Sequence, residues 1–364
     1  MALLGFDGFD HYNSIDDMEQ RSSSIQYQRP LGGIINALFV TGRNGFGKAF
    51  SFESTSAGNN HGLYCSYGGN RNSNNFFGLA VYLGTNIGMN FAFYDTTMNE
   101  VQCTVAFNPL SYSIQLYHGF FVPGASIPLT PIGTSPNNVW YGGTWNYFEI
   151  WPTISNGAGG VKVYFNNNLV CDITGVDTQE SAFAWWDMWE LYPTDNFDAI
   201  IIDDHYFGDT TNGPGAAPAN SPIGDAKVST LWATGDNSVQ WLPKTGILNY
   251  AMIDEQAMDS DTTYNRTLTV SAEDIFAFET LPAGVTNVHA IQLTGAYRKD
   301  DALVRTISQR LEISAIKYPA TINHNVPDGE YTYFVDLWVL NPNTLLNWTI
   351  LDVNGLAAGY KLIA

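Results

Sequence analysis

Charge is what this 364-residue chain has least of: Asp, Glu, Lys and Arg make up 14% of it, against about a quarter in an ordinary soluble domain. Bases are scarcest, 15 Lys and Arg against 35 Asp and Glu, which leaves a formal net charge of -20. A chain so poor in cations offers no basic face to nucleic-acid phosphates and none to an anionic membrane surface. Long apolar runs are missing as well; none approaches the ~20 residues that cross a bilayer. The opening Met1–Phe6 is too short for the core of a secretory signal, carries no base and runs into Asp7, so no leader is expected. Cys65, Cys103 and Cys171 are an odd number without CxxC spacing, which predicts half-buried thiols in a reducing compartment, not disulfides or a zinc site.

Familiar chemical motifs are absent too. The six histidines form no HxxxH or HExxH pattern, and no G-x-S-x-G elbow occurs. Gly42 to Lys48 has the G-x-x-x-x-G-K spacing of a phosphate loop. Ala49 then stands where Ser or Thr would hold magnesium, and Phe50-Ser51-Phe52 alternates like a strand, so a glycine-rich turn is expected. No fixed-period repeat is present, which sets aside solenoids and propellers.

What is abundant is aromatic: 10 Trp, 20 Tyr and 21 Phe, 14% of the chain. Short apolar or alternating runs at Leu38–Thr41, Ala49–Glu53, Phe77–Leu83 and Met89–Tyr94 are separated by Gly/Asn/Ser clusters, the pattern of strands and turns. Val161–Phe165 and Leu169–Ile173 flank Asn166-Asn167-Asn168, a hairpin whose asparagines tolerate positive φ. Helical turns are expected only at Asp16–Gln20 and Gln179–Trp186. The Gly/Pro/Ala-rich stretch Thr210–Pro222 marks a boundary, with one domain over 1–210, a linker over 211–223 and a second domain over 224–364. The second domain also reads as mainly β, with runs at Lys227–Trp232, Ile275–Glu279, Val288–Tyr297, Leu303–Ile313 and Tyr331–Leu340. A short helix near its end is capped by Thr349 on the amide of Asp352, and a final strand follows. The fold class expected is all-β.

Two clusters could carry function. Between Asp172 and Asp209 there are ten Asp/Glu and no base. Within that tract Asp195, Asp198, Asp203 and Asp204, with Asp209, have the carboxylates that calcium takes, though not at EF-hand spacing; solvated or turn-capping acids are the competing assignment. Trp185, Trp186, Trp189 and Tyr192 interleave with Asp187 and Glu190. Such rings stack on saccharides while acids accept hydroxyls; a sandwich core or a subunit contact is the assignment favoured over that. Glu149, Asp187 and Glu190 are candidates for glycoside chemistry that no spacing singles out.

The opening Gly5-Phe6-Asp7-Gly8-Phe9-Asp10, the Thr41–Ala49 turn, Trp145–Ile150, the VKVYFNNNLVCDITG hairpin and FDAIIIDDHYFGDT resemble the laminin-G/concanavalin-A-like jelly-roll domains of tailed-phage virion proteins. Gly224–Val228, Thr234–Asp236, Ala296–Asp301 and Asn341–Leu356 resemble the β domain that follows such a jelly roll. The resemblance implies a concanavalin-A-like sandwich in which the closing IDD strand lies beside the opening strand, then a smaller assembly domain. It implies no catalytic residue and no cofactor beyond the calcium considered above. The expected role is a virion structural protein assembled in the host cytoplasm, a tail or baseplate-associated fibre or adhesin. Its partners would be other virion proteins, copies of itself in a homo-oligomer such as a trimer, and host surface polysaccharide. A capsid decoration protein and a lectin or glycan-active enzyme are the alternatives.

Overall fold

The computed structural model describes residues 2–21, 25–28, 34–45, 47–54, 62–121, 130–194, 199–210, 222–256 and 258–364. In chain order the first half forms β1 (Ala2–Asp7), α1 (Ile15–Arg21), β2 (Gln26–Gln28), β3 (Ile34–Thr41), β4 (Lys48–Ser54), β5 (Leu63–Ser66), β6 (Asn75–Leu83) and β7 (Met89–Asp95). It continues with β8 (Glu100–Asn108), β9 (Ser113–His118), β10 (Gly133–Thr134), β11 (Trp145–Thr153), β12 (Gly159–Phe165), β13 (Asn168–Val176), β14 (Met188–Pro193) and β15 (Ala199–Asp209). These strands make two sheets, β13-β12-β11-β6-β15-β4-β3 with β1 also on β15, and β10-β9-β8-β7-β14-β5-β2. All pairings are antiparallel, and the chain crosses repeatedly from one sheet to the other, a concanavalin-A-like jelly-roll sandwich.

Alternation along the strands explains the packing. Phe91 and Phe93 of β7, and Trp189 and Leu191 of β14, point between the sheets, where they meet Phe77, Leu79, Phe148 and Ile202 of the first sheet. The residues between them face outward, since successive side chains of a strand point to opposite faces. The asparagine hairpin forms as read: Phe165 pairs with Asn168, and Asn166 and Asn167 take φ of 46° and 71°. The Gly42 amide bonds the Gly47 carbonyl across the connection between β3 and β4, with a single 3-10 turn at Arg43–Gly45, and β1 lies against β15, as the resemblance implies.

After the boundary come β16 (Ala233–Ser238), β17 (Leu242–Pro243), β18 (Asn265–Arg266), β19 (Glu273–Phe278), β20 (Ile291–Tyr297), β21 (Thr306–Ile313), β22 (Ile316–Pro319), β23 (His324–Asn325), β24 (Thr332–Trp338), α2 (Ile350–Asn354) and β25 (Ala357–Leu362). A sheet β16-β19-β25-β21-β22, with β23 on β21, is accompanied by two ribbons, β17-β18 and β20-β24. Thr349 and Asp352 cap α2 reciprocally, side chain to backbone in both directions.

Three expectations need correction. Gln179–Trp186 is not helical, because the Gln102 side chain takes over its backbone: it accepts from the amides of Glu180 and Ser181 and donates to the carbonyls of Phe183 and Trp185. Lys227–Trp232 joins no sheet, since it lies across the first half with the Val228 amide on Asp204 and the Thr230 hydroxyl on Asp10. The three cysteines are fully buried, not half-buried, and burial pushes the Cys171 thiol up to about 12.

Candidate functional site

Of the four calcium candidates, Asp195 and Asp198 lie outside the described residues. Asp203 and Asp204 sit in a β-bulge of β15, where the register with β6 breaks and Asp204 takes a φ of 49°. The bulge turns both acids toward the junction of the two halves. Asp203 accepts the amides of Arg43 (2.8 Å) and Asp204 (2.7 Å). Asp204 meets Arg43 Nε at 2.9 Å and the Val228 amide at 2.8 Å. Burial and mutual repulsion raise the pair's affinity for protons, and Arg43 opposes this at Asp204. Their oxygens are thus spent on a guanidinium and on amides. Among the described residues no group of three or more His, Cys, Asp or Glu is placed to hold a metal.

The same junction uses Glu149, which accepts from the amides of Ile223 (3.2 Å) and Gly224 (3.1 Å) and from Trp151 Nε1 (3.0 Å). Burial pushes its carboxyl up to about 7. Around it Phe76, Ala80, Tyr147 and Tyr206 of the first sheet pack against Ile223, Ala226, Ala290 and Val339. The outer face of the first sheet is therefore covered by the second half over β6, β11 and β15, while Lys162 of β12 stays exposed.

The aromatic cluster divides by strand alternation. Trp186 and Trp189 are fully buried in the sandwich core, Trp189 Nε1 bonding Tyr67 Oη. Tyr192 faces outward but is covered, its hydroxyl donating to the Phe121 carbonyl at 2.7 Å. None of these three presents a ring to a ligand; Trp186 and Trp189 fill the sandwich core, the first of the two alternatives the sequence offered to saccharide stacking. Trp185 stays half-buried, stacked on Phe183 with ring centres 4.3 Å apart. Asp187 accepts from Arg71 and Thr96 and is likewise enclosed.

The outer face of the second sheet is where chemistry gathers beside open space. A pocket of 610 Å³ there is lined by Tyr64, Tyr94, Glu100, His118, Phe120, Glu180 and Met188, with Gln28, Asn99, Val101 and Gly119. Behind it Glu190 Oε2 accepts from the Tyr94 hydroxyl at 2.6 Å and Oε1 from the Gly62 amide at 3.0 Å. Burial and this carboxylate push the Tyr94 phenol up, so it stays a neutral donor. His118 Nδ1 lies 2.8 Å from Glu180. Alternation in MNFAFYD and MWELYP marks Tyr94 and Glu190 as outward, but their closeness depends on a cross-strand register, Met188 opposite Tyr94 and Glu190 opposite Ala92, that no local pattern encodes.

No protein-family model and no curated protein matches the chain. Among solved structures it is similar to Cip1, a cellulose induced protein, at 13% identity and a TM-score of 0.36 over 52% of this chain and 93% of that one. It is also similar to domain 4 of AbnA, a GH43 extracellular arabinanase from Geobacillus stearothermophilus in complex with arabinotriose, at 17% identity and 0.33 over 57% and 92%. A third is the conserved carbohydrate esterase of the Shiga toxin-encoding bacteriophage phi24B, at 14% identity and 0.32 over 57% and 100%. At such scores nothing of their ligands or activities passes to this chain, whose fold rests on its own strand order.

Proposed function

We propose that this chain is a non-enzymatic structural subunit of a tailed-phage virion, a tail- or baseplate-associated adhesin. Copies assemble through the second half, while the jelly roll turns the pocketed sheet toward host surface polysaccharide. The observation that carries this reading is where apolar surface stays uncovered. Among the described residues of the first half only Leu38, Met98, Leu110, Tyr141 and Leu169 are exposed large apolar side chains, whereas the shorter second half leaves fourteen. Ile247 is 89% exposed, Leu351 82%, and Leu268 and Val304 74% each. Apolar side chains that single chains leave in water at this density suit contact with neighbouring subunits.

Packing supports the same reading. Among the described residues the ribbon β20-β24 pairs with no other strand, and all seven residues of β20 are only half-buried. A cavity of 1320 Å³ opens between it and the larger sheet, lined by Trp232, Trp241, Phe276, Leu293 and Tyr360 among others. An isolated two-stranded ribbon is marginal by itself, so neighbouring copies complete what the single chain leaves loose. The family resemblance of the GFD and IDD motifs supplies the virion setting.

The test is immunogold labelling of intact particles with an antibody raised to this chain. Label on the tail or baseplate supports the proposal; label on the capsid shell gives the decoration-protein alternative, and no label on purified particles overturns both.

A further inference from the structure

We infer that the lobe carrying Leu345, Leu346, Ile350 and Leu351 is the contact at which copies of this chain meet, each lobe against its counterpart around the symmetry axis. This rests on the assembly reading above and names the surface that assembly uses.

The lobe is firmly built. The Asn341 carbonyl accepts the Leu345 amide at 2.8 Å, and the Asn341 amide bonds the Leu346 carbonyl at 2.9 Å, so 341–346 closes on itself. Tyr318 Oη donates to Asn343 Oδ1 at 2.6 Å, and buried Trp348 donates its Nε1 to the Trp338 carbonyl at 2.8 Å. The reciprocal cap of Thr349 and Asp352 then fixes the start of α2. On this frame Leu345 stands 72% exposed and Leu346 67%, with Ile350 and Leu351 exposed a turn further on. Leu345 also takes a φ of 58°, a left-handed backbone that suits Gly or Asn and penalises leucine. Neither the backbone nor burial within one chain favours leucine there. Strain held by a well-bonded loop, together with apolar side chains left in water, points to a contact made outside the single chain.

Charge selects the partner. Copies that each carry -20 repel one another, so they approach at least cost where neither side bears charge. Residues 337–351 contain no Asp, Glu, Lys or Arg, and neither do residues 280–297. The two stretches adjoin: the Leu281 amide donates to Asn354 Oδ1 at 2.8 Å, and Leu281 and Val288 pack with Trp338 and Trp348. The acids that flank the lobe in sequence are engaged, Asp336 with His324 and Asp352 with the amide and hydroxyl of Thr349. An uncharged apolar lobe complements a second lobe of the same kind, and a closed ring brings identical side chains together around its axis.

The experiment is oxidative cross-linking of the full-length chain carrying Leu351→Cys, with copper–phenanthroline as oxidant, read on a non-reducing gel. Cys65, Cys103 and Cys171 are buried, so the introduced thiol is the accessible one. Leu351→Cys should link copies roughly tenfold or more faster than Leu110→Cys, an exposed position of the first half, because assembly raises the effective concentration of facing thiols. Leu345→Gly with Leu351→Ser relieves the backbone and keeps the frame; it should retain the circular dichroism spectrum and raise the oligomer's dissociation constant roughly tenfold or more. An oligomer that persists in that variant, with Leu351→Cys linking no faster than Leu110→Cys, overturns the location and leaves assembly through the second half standing. A chain that is monomeric at every concentration overturns the assembly reading itself. Monomers that sediment with phosphatidylcholine vesicles, and cease to in Leu345→Gly/Leu351→Ser, overturn a second copy as the partner in favour of a membrane.

Discussion

Arg43 Nε lies 2.9 Å from Asp204 Oδ2, with 10% of the arginine side chain and 2% of the aspartate side chain exposed. The pair closes the junction between the halves, because Arg43 also reaches Asp225 at 2.5 Å and the Ala226 carbonyl at 3.1 Å. Removing one member of a buried ion pair strands the other charge. Arg43→Met should therefore destabilise the chain by about 3–5 kcal/mol. Denaturant unfolding of the single variant and of Arg43→Met/Asp204→Asn checks this: the double variant should recover part of the loss. Equal stability of wild type and Arg43→Met would show that the junction does not depend on the pair.

Glu149 gives the junction a pH dependence of definite sign. Its folded-state pKa, about 7, stands above the ordinary glutamate value of 4.5, so the folded chain holds the proton more tightly than the unfolded one. Its contribution is fully present below about pH 4.5 and is lost as pH rises through about 7, roughly 3 kcal/mol over that window. The difference in unfolding free energy between wild type and Glu149→Gln, measured from pH 4.5 to 8, should change by that order in favour of the variant at high pH. A pH-independent difference would contradict it.

His205 acts with the opposite sign. Burial among Tyr27, Tyr67 and Trp189 lowers its pKa to about 3, and its ring nitrogens lie 2.8 Å from Tyr27 Oη and 3.2 Å from Tyr67 Oη. The unfolded chain takes up a proton below pH 6.5 that the folded chain refuses. Stability from this group is lost as pH falls from 6.5 toward 3, about 1.4 kcal/mol per pH unit well inside the window. His205→Phe should flatten that part of the profile.

The core aromatics predict an outcome different from a ligand-stacking role. Trp189→Ala empties a fully buried site and should cost about 3–5 kcal/mol, while half-buried Trp185→Ala should cost much less. Thermal melts of the two variants decide the ordering.

The all-β class, the asparagine hairpin, the capped helix α2 and the pairing of β1 with β15 were legible because each depends on local residue pattern or on a family likeness carried by local motifs. The site was legible only in part. Glu190 stood out by its neighbours, but Tyr64, Tyr94, His118 and Phe120 come together through registers and a chain reversal after β9 that involve residues far apart in sequence. The acids of β15 look alike on paper; the bulge and the arrival of Val228 and Arg43 from distant segments decide that Asp203 and Asp204 serve a buried junction. The Lys227–Trp232 run has strand composition, yet its Val228 amide and Thr230 hydroxyl bond side chains of the first half, Asp204 and Asp10.

The proposed assembly through the second half is tested most directly by multi-angle light scattering on the full-length chain eluting from a sizing column. A species of three chains of 40.1 kDa, shifted toward single chains by Leu268→Asp with Leu351→Asp, is the predicted result. A 40.1 kDa monomer at every concentration, unchanged by those substitutions, would contradict it.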